Sequence, residues 1–427
     1  MALEYFHEGF DTCFDHLTGM SIGVGDPLLD WVNDPRVLRM FNVGQLGLAR
    51  DRPTHNYWTR GEHVMSGAIM AREIARQNGF SELDQTRAGI LMVYHDPHPA
   101  GGDGVKNLLD IDEASVAETY WFEGTQGERF IARCHGLGLD PIVEQAEILA
   151  MISREADSPL AKLVHNPNRS IADADFVSYT LADLAFGTQG TARMHHDEKE
   201  WRRCRSKSSF PSKCEVSLDL AATGAQLGTI VNGGEFGTSS AIRSQTFSLA
   251  DFNPIGRMEW VEDVGEWVFT DSEVLAHTIV ASAVLHTFLY FHPGMQGPEL
   301  RLGQEVSRSG LTDHLRDVVM TLDDDGLHEF LDDHNLGYWV SPEAHDGWIY
   351  NFRGTSEGKP GTYKTKLPKF NLRLDTPVMD SGRIVPFRQA RPDIVDFVDT
   401  IVGGQSGREV LLVDLMYGKR PGWDLNL

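Results

Sequence analysis

The stretch "MVYHDPHPAGGDG", residues 92–104, ends an apolar run on His95-Asp96 and then breaks on prolines and glycines. The residues before it, "ELDQTRAGILMVYHD", have the pattern of a helix that is buried all round near its end. An imidazole and a carboxylate side by side where such a helix stops have two explanations. They finish a capped helix end, or they hold a metal ion together with groups from other helices. The rest of the chain has to decide between these.

Outward from this point the pattern is mostly helical. Residues 27–49 read as helix, with Val37, Leu38, Phe41 and Leu46 near helical spacing, before Pro53 and polar residues break the run. A second helix is expected from His63 to Gly79, where Val64, Ala68, Ala71 and Ala75 form one stripe. Others are expected at 142–155 and at "IADADFVSYTLADLAFG". Between 208 and 272 Gly, Ser and Thr are frequent and the pattern weakens to loops around short elements. Residues 272–294 read as one long helix ended by Pro293-Gly294, and "LTDHLRDVVMTL" as another. The tail from about 355 is broken by Pro and Gly, with pieces such as 409–417 that fit strands. The expected fold is mainly α. It has an N-terminal segment (1–34), a helical-bundle core (35–205) and a mostly helical accessory region (206–427) containing a few short strands.

Composition narrows the function. The 427 residues are 41% hydrophobic, enough for a large core, and carry a formal net charge of −24. That charge argues against a nucleic-acid partner, since phosphate backbones are bound by basic surfaces. A small anionic substrate remains open, because a local cation can hold it. No apolar run reaches the ~18 residues of a membrane span, and the start lacks the basic and apolar regions of a signal peptide. The four cysteines form no C-x-x-C pair, so neither a zinc ribbon nor a disulfide framework is expected. A cytoplasmic protein without membrane association is the expectation.

Four positions on or beside the expected helices draw together: His63, His95, Asp96 and Asp175. In a bundle such positions can converge. Two imidazoles and two carboxylates suit a divalent ion such as Mn, Mg, Fe, Ni, Co or Zn. Asp173, in the same "ADAD" run as Asp175, reads instead as the acid that favours a helix start. The order H…HD…D on helices resembles the HD superfamily of metal-dependent phosphohydrolases. "WTRGEH" (58–63), "NVGQLGLA" (42–49) and "ADADFVSYTLAD" (172–183) are similar to segments of its deoxynucleoside-triphosphate triphosphohydrolase branch.

That resemblance implies a helical HD domain that hydrolyses nucleotides with a divalent ion, and a homo-oligomer built through helical faces of the second half. It implies that His63, His95, Asp96 and Asp175 hold the ion. Gln45 and Asp183 would contact the sugar 3′-hydroxyl, Tyr179 would pack against a deoxyribose, and Arg60 would approach the phosphates. His98, Asp103, Asp112 and Glu113 are the candidates for the assisting acid. The sequence also departs from the family. Phe176 and Ala182 stand where basic residues are common, Asp112-Glu113 replaces a His-Glu pair, and the HD-x-G-H pattern is compressed to His95-Asp96-Pro97-His98. Lys106, Arg202, Arg203 and Arg205 are candidates to supply the missing cations. Two alternatives stay open: a 5′-nucleotidase or other phosphomonoesterase, and a nucleotide sensor without turnover.

Overall fold

Helix starts are written into the chain as short polar caps, often followed by proline. The computed structural model describes residues 10–44, 59–186 and 253–419, apart from gaps at 16–17, 19, 169, 287–292, 346, 352–357, 368–372, 400–406, 408 and 418, together with strands at 192–194, 215–218 and 245–248. Helices α1 (Pro27–Val32) and α2 (Pro35–Met40) are capped by the carboxylates of Asp26 and Asp34. The single helix expected over 27–49 is therefore two short ones. Pro35 has no N–H to continue the first, and Asp34 accepts from Arg36 N–H to start the second. Helix α3 (Arg60–Gln77) begins three residues earlier than the apolar stripe indicated. Thr59 and Glu62 form a reciprocal capping box that fixes its first turn. Ser81 caps α4 (Glu82–Val93), which packs along α3 and stops just before His95.

The chain continues through α5 (Gly102–Leu109), α6 (Glu113–Phe122), α7 (Gly124–Gly136), α8 (Pro141–Ile152), α9 (Pro159–Val164) and α10 (Ala174–Phe186). Gly101 and Gly102 take φ of 74° and 56° ahead of α5, a left-handed turn that side chains resist. Strands β1 (Thr12–Phe14) and β2 (Ser21–Gly23) pair as a small hairpin, and β3 (Ala192–Met194), β4 (Glu215–Leu218) and β5 (Gln245–Ser248) form an antiparallel sheet. Then come β6 (Met258–Val261), β7 (Glu266–Phe269), α11 (Ser272–Leu285), α12 (Pro293–Arg308), α13 (Thr312–Val319) and α14 (Asp324–Asp333). Pro293 opens α12 instead of ending a long helix. Its missing N–H is harmless in a first turn, where no intrahelical acceptor exists.

The last part holds β8 (Trp348–Asn351), β9 (Thr362–Lys366), β10 (Pro377–Asp380), β11 (Arg383–Pro386), α15 (Phe387–Ala390), α16 (Pro392–Val398) and β12 (Glu409–Asp414). The alternating 409–417 segment does supply a strand. β12 is the centre of an antiparallel sheet, with Val413 opposite both Ile349 and Thr362. β6 and β7 pair with β10 and β11 across more than a hundred residues, through one parallel contact between Phe269 and Val378. The fold is mainly α, with few short strands in small sheets. Among the described residues no helix is long and apolar enough to cross a membrane.

Buried side chains gather into two clusters. The larger joins α1–α4, α6–α11 and parts of 378–398 around Trp31, Tyr94, Trp121 and Trp267. The smaller joins Ala100, Val105 and Leu109 to the helices and strands of 302–412. Helix α5 is thus the seam between them, and Glu299 of α12 lies against Gly104 there: a Cβ on Gly104 would fall 2.5 Å from its Oε1. Burial, helped by the Asp103 charge, pushes the Glu299 carboxyl up to about 8 from 4.5. The folded chain therefore keeps a proton that the unfolded chain releases near pH 4.5. Stability falls as pH rises through the window between these values. Glu299→Gln should remove that slope, a difference of up to about 1.4 kcal/mol per pH unit between the two proteins. Denaturant midpoints from pH 5 to 8 measure it, and parallel curves would contradict the assignment.

Candidate metal centre

Helix α4 delivers His95 to the interior by burying Ile90, Leu91, Met92 and Val93 just before it. The imidazole is fully buried, and its Nδ1 donates to the Met92 carbonyl at 2.7 Å. A carbonyl only accepts, so the proton sits on Nδ1 and Nε2 is left to face the centre. His63, on the first turns of α3, is fixed by similar logic. The Ser178 hydroxyl donates to the Asp175 carbonyl at 3.1 Å and so accepts from His63 Nδ1 at 3.3 Å. Both Nε2 atoms then point at one oxygen: Asp175 Oδ1 is 3.1 Å from His63 Nε2 and 3.4 Å from His95 Nε2. Asp96 Oδ2 is 3.4 Å from His95 Nε2.

The structure thus brings together all four residues expected to bind an ion. It also adds a fifth, which sequence reasoning missed. His165 follows α9, is buried, and sets its Nε2 3.1 Å from Asp175 Oδ2. The donor atoms of His63, His95 and Asp175 lie within 4.8 Å of one another, and so do those of His95, Asp96 and His165. Ion–ligand bonds of about 2.0–2.2 Å put opposite donors roughly 4.2 Å apart, so this spacing is compatible with a divalent ion.

An observation of the donors themselves fits an ion. His95 Nε2 is buried and has no hydrogen-bond partner. Lone pairs of two imidazoles facing a carboxylate oxygen repel unless a proton or a cation stands between them. In the protein alone a proton does so at His95. Burial lowers its basicity, but Asp96 and Asp175 outweigh burial and push it up to about 9. Burial holds His63 below its ordinary value, against the pull of Asp175. Burial would raise Asp175, but the hydrogen bonds from His165 and His63, with the charge of His95, take it well below the usual carboxylate range. Asp173 is the helix cap expected of it, its Oδ1 accepting from Phe176 N–H at 2.7 Å.

Cations and acids stand beside the centre. Arg60, one turn before His63 and 5% exposed, meets Asp103 at 2.8 Å. Burial of Asp103 is outweighed by Arg60 and Lys106, which lower its carboxyl. Lys106 pairs with Asp103 at 3.4 Å and also with Glu113. Burial, then the Asp96 charge, pushes Glu113 up to about 7 despite that lysine. His98 is buried with Nε2 unpartnered, and burial together with Arg60 and His95 holds it well below its ordinary value. Asp112 is exposed at the start of α6, one residue outside this group.

Spacing along α10 places Tyr179 and Asp183 one and two turns beyond Asp175, on the same face. Tyr179 stands 6.4 Å from the His63 ring and Asp183 is buried, its charge acting on Arg60. Gln45, Arg202, Arg203 and Arg205 lie outside the described residues.

The chain has the fold of two solved proteins. A hypothetical protein from Aquifex aeolicus superposes with a TM-score of 0.58 at 14% identity, covering 96% of this chain and 98% of that one. A phosphohydrolase from Bacteroides thetaiotaomicron VPI-5482 gives 0.59 at 13% identity, covering 94% and 98%. Neither a protein-family model nor a curated protein matches the sequence. At such identities the likeness is one of fold.

Proposed function

We propose that this chain is a metal-dependent phosphohydrolase of nucleotides, with deoxynucleoside triphosphates as its first substrate class. The observation that carries the reading is the pair of imidazoles, each with Nδ1 tied to an acceptor and Nε2 aimed at the same oxygen of Asp175. The fold shared with a phosphohydrolase supports it.

When bound, a divalent ion supplies polarisation of a phosphoryl oxygen and activation of water. His63, His95, Asp96 and Asp175 would hold it, with His165 steadying Asp175. Arg60 presents a planar guanidinium for phosphate oxygens, in exchange for part of its contact with Asp103. Glu113, at about 7, keeps a proton close to neutrality and is the group best suited to protonate a leaving oxygen. Asp183 and Tyr179 would meet the sugar, where a buried carboxylate selects for a hydroxyl partner. Attack at the α-phosphate would release deoxynucleoside and triphosphate.

A specific feature favours a second reading, a 5′-nucleotidase. Phe176 and Ala182 are buried and apolar, so neither position of α10 itself supplies a cation to a long polyphosphate. A panel of deoxynucleoside triphosphates and nucleoside monophosphates with Mn2+ or Mg2+ separates the two. Triphosphate as product supports the first reading and inorganic phosphate the second. A metal-loaded sample that binds nucleotide but releases neither from any member would exclude both and leave a sensor.

A further inference from the structure

The two loops that flank the centre are held by a third segment from far along the chain, and one carboxylate joins all three. Asp324, at the start of α14, is 5% exposed. Its Oδ2 accepts Gly44 N–H at 2.7 Å and its Oδ1 accepts Gly101 N–H at 2.8 Å. Its own N–H donates to the Asn42 carbonyl at 3.3 Å. Neighbouring contacts run the same way. Ala100 N–H donates to the Val319 carbonyl at 3.0 Å, and the Arg39 guanidinium forks to the carbonyls of His98 and Leu322.

Both loops lead to the anion side of the centre. Gly44 bridges to Thr59, the cap of α3, and Arg60 N–H donates to Val43 O at 2.8 Å. Gly101 opens α5, whose Asp103 meets Arg60 at 2.8 Å. The Arg60–Asp103 pair is thus flanked on both sides by segments hydrogen-bonded to Asp324. The ion donors are tied elsewhere, to Met92, Ser178 and His165.

We propose that Asp324 is a positioning residue: it sets the separation between the first turn of α3 and the loop His98–Asp103, and so places Arg60 and His98 for phosphate oxygens. This rests on the phosphohydrolase reading, but its test needs no turnover.

Asp324→Asn keeps the shape and turns one acceptor into an N–H donor facing a glycine N–H. Amide exchange at whichever of Gly44 and Gly101 faces the new N–H should quicken at least about tenfold, the scale of one lost buried hydrogen bond. The affinity of the Mn2+-loaded protein for inorganic pyrophosphate, read by calorimetry, should fall about tenfold, while that for Mn2+ stays within about twofold. Asp323→Ala is the control. Asp323 caps the same helix by accepting Gly326 N–H at 2.9 Å, so its loss should lower the melting temperature and leave pyrophosphate affinity unchanged. Unaltered pyrophosphate affinity in Asp324→Asn, an equal loss in Asp323→Ala, or a parallel loss of Mn2+ would overturn the proposal. Should Asp324→Asn not fold, the wild type serves: pyrophosphate with Mn2+ should slow exchange at Gly44 and Gly101, and unchanged exchange, or no binding at all, overturns the proposal. A protein that hydrolyses none of the nucleotides but behaves as above would sink the enzymatic reading and leave this one standing.

Discussion

Asp175→Ala should strip the centre of its ion and of all measurable turnover. Its two oxygens face three imidazoles at 3.1 to 3.4 Å, so it is the group on which all three histidines converge. Removing a hydrogen-bond partner of a ligand typically costs 10- to 100-fold in metal affinity. Losing the shared carboxylate should exceed about 100-fold. Ser178→Ala gives the contrast, because it removes only the acceptor that orients His63, and should cost about tenfold. Metal content after dialysis and titration calorimetry with Mn2+ read both variants. The wild type should also melt higher with the ion present, and Asp175→Ala should lose that shift. Unchanged Mn2+ affinity in Asp175→Ala would mean that the histidines form a proton-linked core cluster instead of an ion site.

Gly61→Ala should be nearly as damaging, although alanine is the better helix former by about 1 kcal/mol. Gly61 lies in the first turn of α3 between Arg60 and His63. A Cβ there would fall 2.4 Å from Phe41 Cδ2 and 2.6 Å from the Phe41 backbone nitrogen. The ring could rotate, but the nitrogen cannot move freely, since its N–H donates to the Leu38 carbonyl at 3.1 Å. Overpacking of this kind costs about 1–3 kcal/mol, which outweighs the gain in propensity. Relief requires α3 to back away from α2, and that carries Arg60 and His63 with it. The variant should therefore melt several degrees lower and bind Mn2+ more weakly. A stabilised variant would contradict this close approach of α2 and α3 at Gly61.

Legibility in the sequence followed from how locally each feature is specified. His95-Asp96 is visible because an apolar helix runs straight into it, and Asp175 because the segment 172–183, with Tyr179 and Asp183, resembles the one that carries the last ligand in the HD superfamily. His165 is not, for it stands alone after a six-residue helix, in "VHNPN", and reaches Asp175 only through the fold. Its signal would have been a histidine ten residues ahead of a suspected ligand, with a Pro-containing turn between. The break at Asn33-Asp34 and the start at Pro293 were hidden for the opposite reason: apolar spacing ran on through both, while cap and proline chemistry decided the boundaries. The pairing of β7 with β10 rests on four-residue strands that carry too few alternations to be recognised singly.

The loop that leads from His165 to Asp175 has one more property. Arg373 donates to the Ser170 carbonyl at 3.0 Å and lies 3.6 Å from Asp173, and Thr376 Oγ1 accepts Ile171 N–H at 3.1 Å. These staples come from 203 and 205 residues downstream of the groups they hold. The five side chains of the candidate centre all precede residue 176, yet the backbone that aims the last two is clamped by Arg373 and Thr376. The residues of the centre thus come from one part of the chain and their aim from another, so its geometry is complete only once Arg373 and Thr376 have docked on the loop before Asp175.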